Sequence, residues 1–71
     1  MTHDPPVEDR LLIARRHVAE GEERVRRQEA LLQELARDGH PTTEAEALLD
    51  TMRKTLELMR DELAEIEGGG R

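Results

Sequence analysis

Apolar residues recur three and four positions apart in two separate runs of this chain. The first run is Leu11, Ala14, Val18, Gly21, Val25, Gln28, Leu32 and Leu35, with Gly21 and Gln28 holding places in an otherwise apolar stripe. The second is Ala45, Leu49, Met52, Leu56, Met59, Leu63 and Ile66. A 3–4 alternation kept up over several heptads puts every such residue on one face of a helix, as in coiled coils. Between the runs lies Arg37-Asp38-Gly39-His40-Pro41-Thr42-Thr43, which holds a helix stop followed by a helix start. The pattern predicts an all-α fold, a two-helix antiparallel coiled-coil hairpin, because so short a connection makes neighbours of the two helices. One domain, 1–71, is expected: helix 1 over about 5–38, a turn at 39–42, helix 2 over about 43–67 and a disordered tail at 68–71.

The expected boundaries rest on capping chemistry. Asp4 is a good N-cap, and Pro5 suits the first helical position, where a missing N–H costs nothing. Glu8 and Asp9 then place negative charge in the first turns, as the helix dipole favours. Gly39 is expected at the C′ position, where φ must be positive. Pro41 cannot continue a helix and pushes His40 toward an extended backbone. Thr43-Glu44-Ala45-Glu46 reads as a capping box, with the Thr43 hydroxyl on an N3 amide and Glu46 reaching back.

Charges give a separate reading of the register. With the first run in an a-d order and the second in a d-a order, e positions face each other along one flank. Glu22 then meets Arg60, Glu29 meets Arg53 and Arg15 meets Glu67, and the residue numbers add to 82 in each pair. Core layers adding to about 80 or about 84 are both compatible with these pairs. Gly21 at a d position loses roughly 1 kcal/mol of helix propensity relative to Ala. That loss suits a close approach with Met59 or Leu63 opposite, although a tolerant site or a hinge would also accommodate it. Gln28 either sets the register from inside the seam or turns its amide to solvent.

Composition narrows the possibilities. Two helices of a 71-residue chain cannot enclose a core, and small scaffolds need a staple. There is no cysteine, so disulfides and cysteine-ligated zinc are excluded and oligomerisation is the remaining simple answer. The absence of Phe, Trp and Tyr removes base-stacking platforms, and a net charge of −6 argues against a phosphate backbone as partner. The residues 8–40 carry seven basic against eight acidic residues, and 43–67 three against eight, which favours pairing of the halves modestly. No stretch approaches the ~20 apolar residues of a membrane span, and no signal-peptide pattern is present. A cytoplasmic location without membrane or nucleic-acid partners is the expectation.

Side chains that carry chemistry are sparse. Of the three histidines, His17 has Glu20 one turn away and Glu62 within conceivable reach, whereas His3 lies in the tail and His40 in the turn, where it is expected to meet helix-end carbonyls. With Glu so abundant, a solvated or salt-bridged His17 is the expectation, and neither a metal nor any other cofactor is expected. There is no Ser, Cys or Tyr to act as a nucleophile, and a hairpin offers no pocket, so an enzyme is not expected. Arg15, Arg16, Arg24, Arg26 and Arg27 form a basic stretch, but Glu20, Glu22, Glu23 and Glu29 interleave it and cancel its field. The informative surface is the g side. Leu31 and Leu48 fall there near the turn, Thr55 continues the edge, and Leu58 stands beside it together with Thr51. Leu12 and Ile13 add apolar surface near the start of helix 1. Contiguous exposed apolar residues mark an interaction site.

The strings Arg16-His17-Val18-Ala19-Glu20-Gly21-Glu22, Arg24-Val25 and Arg27-Gln28, then Asp38-Gly39-His40 with Thr43, Leu48-Leu49 and Leu56, resemble a group of short uncharacterised alphaproteobacterial helical proteins over about residues 16–63. The resemblance implies a small helical protein and carries no activity. In outline the chain is also similar to bacterial helical-hairpin regulators of phosphorelays, the antikinases and Spo-type phosphatases. The latter carry a Ser-Gln-x-Leu-Asp motif on the second helix, and without any Ser this chain departs from it, so only the shape carries over. Two functional expectations follow. The first is a non-enzymatic interaction module that forms a homodimeric four-helix bundle through Leu31, Leu48, Thr55, Leu58, Leu12 and Ile13. The alternative is a hairpin regulator that binds a signalling protein such as a histidine kinase or response regulator.

Overall fold

The computed structural model describes residues 6–68, which form an antiparallel hairpin of two helices, α1 (Val7–Arg37) and α2 (Thr43–Gly68). The molecule measures 52 × 23 × 18 Å. Its long axis matches the roughly 46 Å expected for 31 helical residues at 1.5 Å each.

All fifteen seam positions read from the periodicity are buried or half-buried. The core is thin. Val18 and Val25 of α1 meet Leu49 and Leu56 of α2, with Met52, Met59 and Leu63 packed against them, and no described side chain is wholly removed from solvent. This is what one stripe per helix can achieve.

α2 begins at Thr43 as expected, and the other helix ends fall one or two residues from their expected places. α1 starts at Val7, not Pro5; its N-cap is Pro6, with ψ 156° and no side-chain cap. A proline at position 6 disfavours helical backbone for the residue before it, so a helix cannot readily start on the first proline of a Pro-Pro step. Asp4, expected as the cap, lies outside the described residues, as do the expected tail residues 69–71. Gly68, assigned in advance to that tail, is the last residue of α2.

The turn is built largely as its residues dictate. Gly39 has φ 75°, the one described residue in the left-handed region. Its N–H donates to Ala36 O at 3.2 Å, and His40 N–H donates to Leu35 O at 2.9 Å. These paired bonds satisfy the last carbonyls of α1 in a Schellman arrangement. His40 thus meets a helix-end carbonyl through its backbone. The start of α2 corrects the expected capping box. Thr42, not Thr43, is the boundary residue, and its carbonyl accepts the Glu46 N–H at 2.8 Å. The helical frame begins at the first residue past Pro41. Glu46 therefore stands one position beyond box spacing, and the Thr42 hydroxyl donates to its carboxylate at 2.6 Å instead.

Across the seam the charge register holds at all three e positions. Arg53 Nη2 lies 2.7 Å from Glu29 Oε2, Arg60 Nη2 lies 3.0 Å from Glu22 Oε2, and Arg15 Nη2 lies 3.6 Å from Glu67 Oε2. A Cβ built on Gly21 would lie 3.0 Å from Leu56 Cδ1 and 3.2 Å from Met59 Sδ. Gly21 therefore faces Leu56 and Met59, not Leu63, and the layers follow a sum near 80, not 84. Gln28 does not reach for solvent. It is 7% exposed, and its Nε2 donates to the Ala45 carbonyl of α2 at 3.0 Å, a cross-seam bond near the turn.

Far-UV circular dichroism of the protein should show a helical content well above half, with no strand signature. A content below roughly half, against an ordinary base rate of about one-third, would exclude this fold.

Candidate functional site

The two flanks of the seam differ in kind. On the e flank the charged residues meet across the helices in the three ion pairs above. The g flank carries apolar residues and charges that are not satisfied within the hairpin. Leu31 is 44% exposed, Leu48 48% and Leu58 68%, and Ile13 is also exposed. Among the described residues Arg10, Glu20, Arg24, Glu62 and Glu65 take part in no ion pair. Isolated surface leucines are ordinary, whereas contiguous exposed apolar residues mark an interaction site.

Thr51 and Thr55 belong to this edge in a way that sequence spacing does not disclose. Thr51 Oγ1 donates to Ala47 O at 3.2 Å, and Thr55 Oγ1 donates to Thr51 O at 3.0 Å. A hydroxyl already bonded to its own helix can be covered without losing its only partner to desolvation. The edge from Leu48 to Leu58 is therefore less polar than its composition suggests.

At the open end of the hairpin the helices leave an apolar trough. Val7, Ile13 and Ala14 of α1 and Ile66 of α2 line it, with Arg10, His17, Glu62 and Glu65 on its rim. Sequence reasoning singled out Ile13 but missed this trough. Its floor depends on small Ala14 and on the side chains of the last turn of α2, neither of which stands out as a surface feature in the sequence. Leu12 is not on it. One residue from Ile13, it is turned by about 100° around α1 and stands 60% exposed elsewhere. Ile13, Leu31, Leu48, Thr55 and Leu58 are all exposed, and helical spacing turns Leu12 to another face of α1 from Ile13.

The polar face of α1 is laced internally. Glu23 accepts from Arg26 at 2.8 Å and from Arg27 at 3.2 Å. The hydrogen bond from Arg26, then that from Arg27, holds the Glu23 carboxyl below its usual range. His17 shares the rim of the trough with the Arg10 cation, and no group of three or more His, Asp or Glu gathers as a metal would need among the described residues. No described helix is long and apolar enough to cross a membrane. Comparison with known proteins finds no family model, curated relative or solved structure that matches this chain.

Proposed function

We propose that this chain is a non-enzymatic interaction module that acts in the cytoplasm and self-associates through its leucine-lined edge into a four-helix bundle. The observation that carries this reading is the contrast between the flanks. One is closed by three cross-helix ion pairs, while the other presents Leu31, Leu48 and Leu58 to solvent. Energetics support it. Folding must offset roughly 1.5 kcal/mol of conformational entropy per ordered residue. Against this the seam buries only Ala14, Val18, Val25, Leu49 and Leu56 among apolar side chains. A second hairpin on the open flank would cover the exposed leucines and finish the burial of the half-buried ones.

Linkage supplies the test. A homodimer that is more stable than its monomer melts at a higher temperature as concentration rises. Over a range of about a hundredfold the midpoint should climb measurably, and sedimentation equilibrium should give twice the chain mass. A helical monomer whose midpoint is independent of concentration would reject self-association and leave the edge free for a helix of another protein.

A further inference from the structure

The open edge has a property that goes beyond its being apolar. It is complementary to itself when turned end for end. Along the g side of α1 the order is Ile13, His17, Glu20, Arg24, Arg27, Leu31. Ile13 and Leu31 have numbers adding to 44, and so do Glu20 and Arg24. Laid antiparallel against a second α1 with that sum, each Arg24 faces the Glu20 of the second copy and each Leu31 faces its Ile13, while each Arg27, already bonded to Glu23, faces its His17. All of these side chains are exposed within one hairpin, and neither Glu20 nor Arg24 has an ion-pair partner there.

The centre of this pairing falls level with residue 22 of α1. The seam register carries that level over to α2, because Gly21 packs against Leu56 and Met59 and position 22 is therefore level with the turn of α2 that holds Leu58. Leu58 is the most exposed large apolar residue of the described chain. A two-fold axis crossing the hairpin at this level sets Leu58 against Leu58 of the second copy. It also carries Leu48 to the end of the second α2, over Ile66. The leucines beside the turn then stand above the trough at the other hairpin's open end, which Ile13, Ala14 and Ile66 line.

The aligned alternative, with both turns at one end, sets Leu31 against Leu48 but lacks the match of charges. There the α1 of one copy faces the α2 of the other at the same level. Glu20 would approach Glu62, Ile13 would meet the carboxylate of Glu65, and the two troughs would face each other unfilled. Like charges across an interface select against an arrangement, and opposite charges fix register.

We infer that the trough at the open end is the docking site for the turn-end leucines of a second copy, so that two hairpins associate end for end about Leu58. This rests on the self-association proposed above and adds its geometry. The two claims separate in one experiment. The chain has no cysteine, so His40→Cys gives a single spin-label site in the exposed turn, away from the edge, where only the His40 backbone makes a cap bond. Sedimentation equilibrium of the labelled protein establishes its mass, and pulsed dipolar spectroscopy reads the distance between labels. End-for-end hairpins place the two turns on the order of 50 Å apart, from about 36 residue levels at 1.5 Å each. Aligned hairpins place them within roughly 25 Å, about two helix diameters. A dimer with the long distance is the expected result. A dimer with the short distance overturns the end-for-end docking but leaves self-association intact, and a monomer overturns both.

Discussion

Gly21→Leu should lower the melting temperature, although leucine is the better helix former. The expected loss is about 1–3 kcal/mol, the usual cost of overpacking, or on the order of 10 °C for a domain of this size. Even a Cβ at this site would lie 3.0 Å from Leu56 Cδ1 and 3.2 Å from Met59 Sδ, inside ordinary contact distance. Met59 is half-buried and can swing aside, whereas Leu56 is only 5% exposed and has little room to move. Gly21→Ala should therefore come out near neutral. Its gain of roughly 1 kcal/mol in helix propensity is offset by the shift forced on Leu56. Leucine adds three more carbons to the same gap and cannot be absorbed. Thermal melts of the two variants beside the parent, at one protein concentration, decide the matter. A higher midpoint for both would show that the helices do not approach closely here.

The fold was legible because its determinants are periodic. Each of the fifteen seam residues is placed by spacing alone, and a stripe of that spacing has only one way to leave water. The e-flank ion pairs were legible for the same reason, since heptad position and an antiparallel turn leave each charge one partner. The helix ends were less so. Whether Thr42 or Thr43 bounds α2 depends on where the chain regains freedom after Pro41. Both residues carry the same capping group, so composition does not distinguish them. Gln28 was ambiguous because an amide at a seam position can face either way. The Ala45 carbonyl within 3.0 Å resolves it, and that atom is placed by the register, not by any residue near Gln28 in sequence. The trough at the open end was not legible at all. It arises where small Ala14 and the last turn of α2 leave space between the helices. A gap is a property of two elements together, while periodicity describes each alone. The edge itself lay between these cases. Its leucines were visible from spacing, but Leu12 was grouped with Ile13 by nearness in sequence, and consecutive helical residues point about 100° apart.

Leu31→Glu combined with Leu48→Glu should abolish association and leave a monomer of lower helicity and lower melting temperature. Both leucines stand on the open edge beside the turn, and neither is needed to close the hairpin's own seam. A glutamate there is harmless to a lone hairpin but not to a covered one. Taking an unpaired carboxylate out of water costs several kcal/mol per ion after relaxation, and a two-fold dimer would carry four of them. In the end-for-end arrangement the charge replacing Leu48 would also lie over Ile66 with Glu62 and Glu65 on the rim, so repulsion adds to desolvation there. Helicity falls with association because the thin seam depends on the second copy for the rest of its burial. Leu12→Glu is the internal comparison. It makes the same chemical change at a more exposed leucine on another face of α1, and a surface substitution of that kind should stay within about 0.5 kcal/mol of the parent. Light scattering and concentration-dependent melts of the three proteins read the difference. If the double variant keeps the mass and concentration dependence of the parent, the edge between Leu31 and Leu58 is not where this chain meets its copy. If Leu12→Glu alone dissociates it, the interface lies on the opposite face of α1.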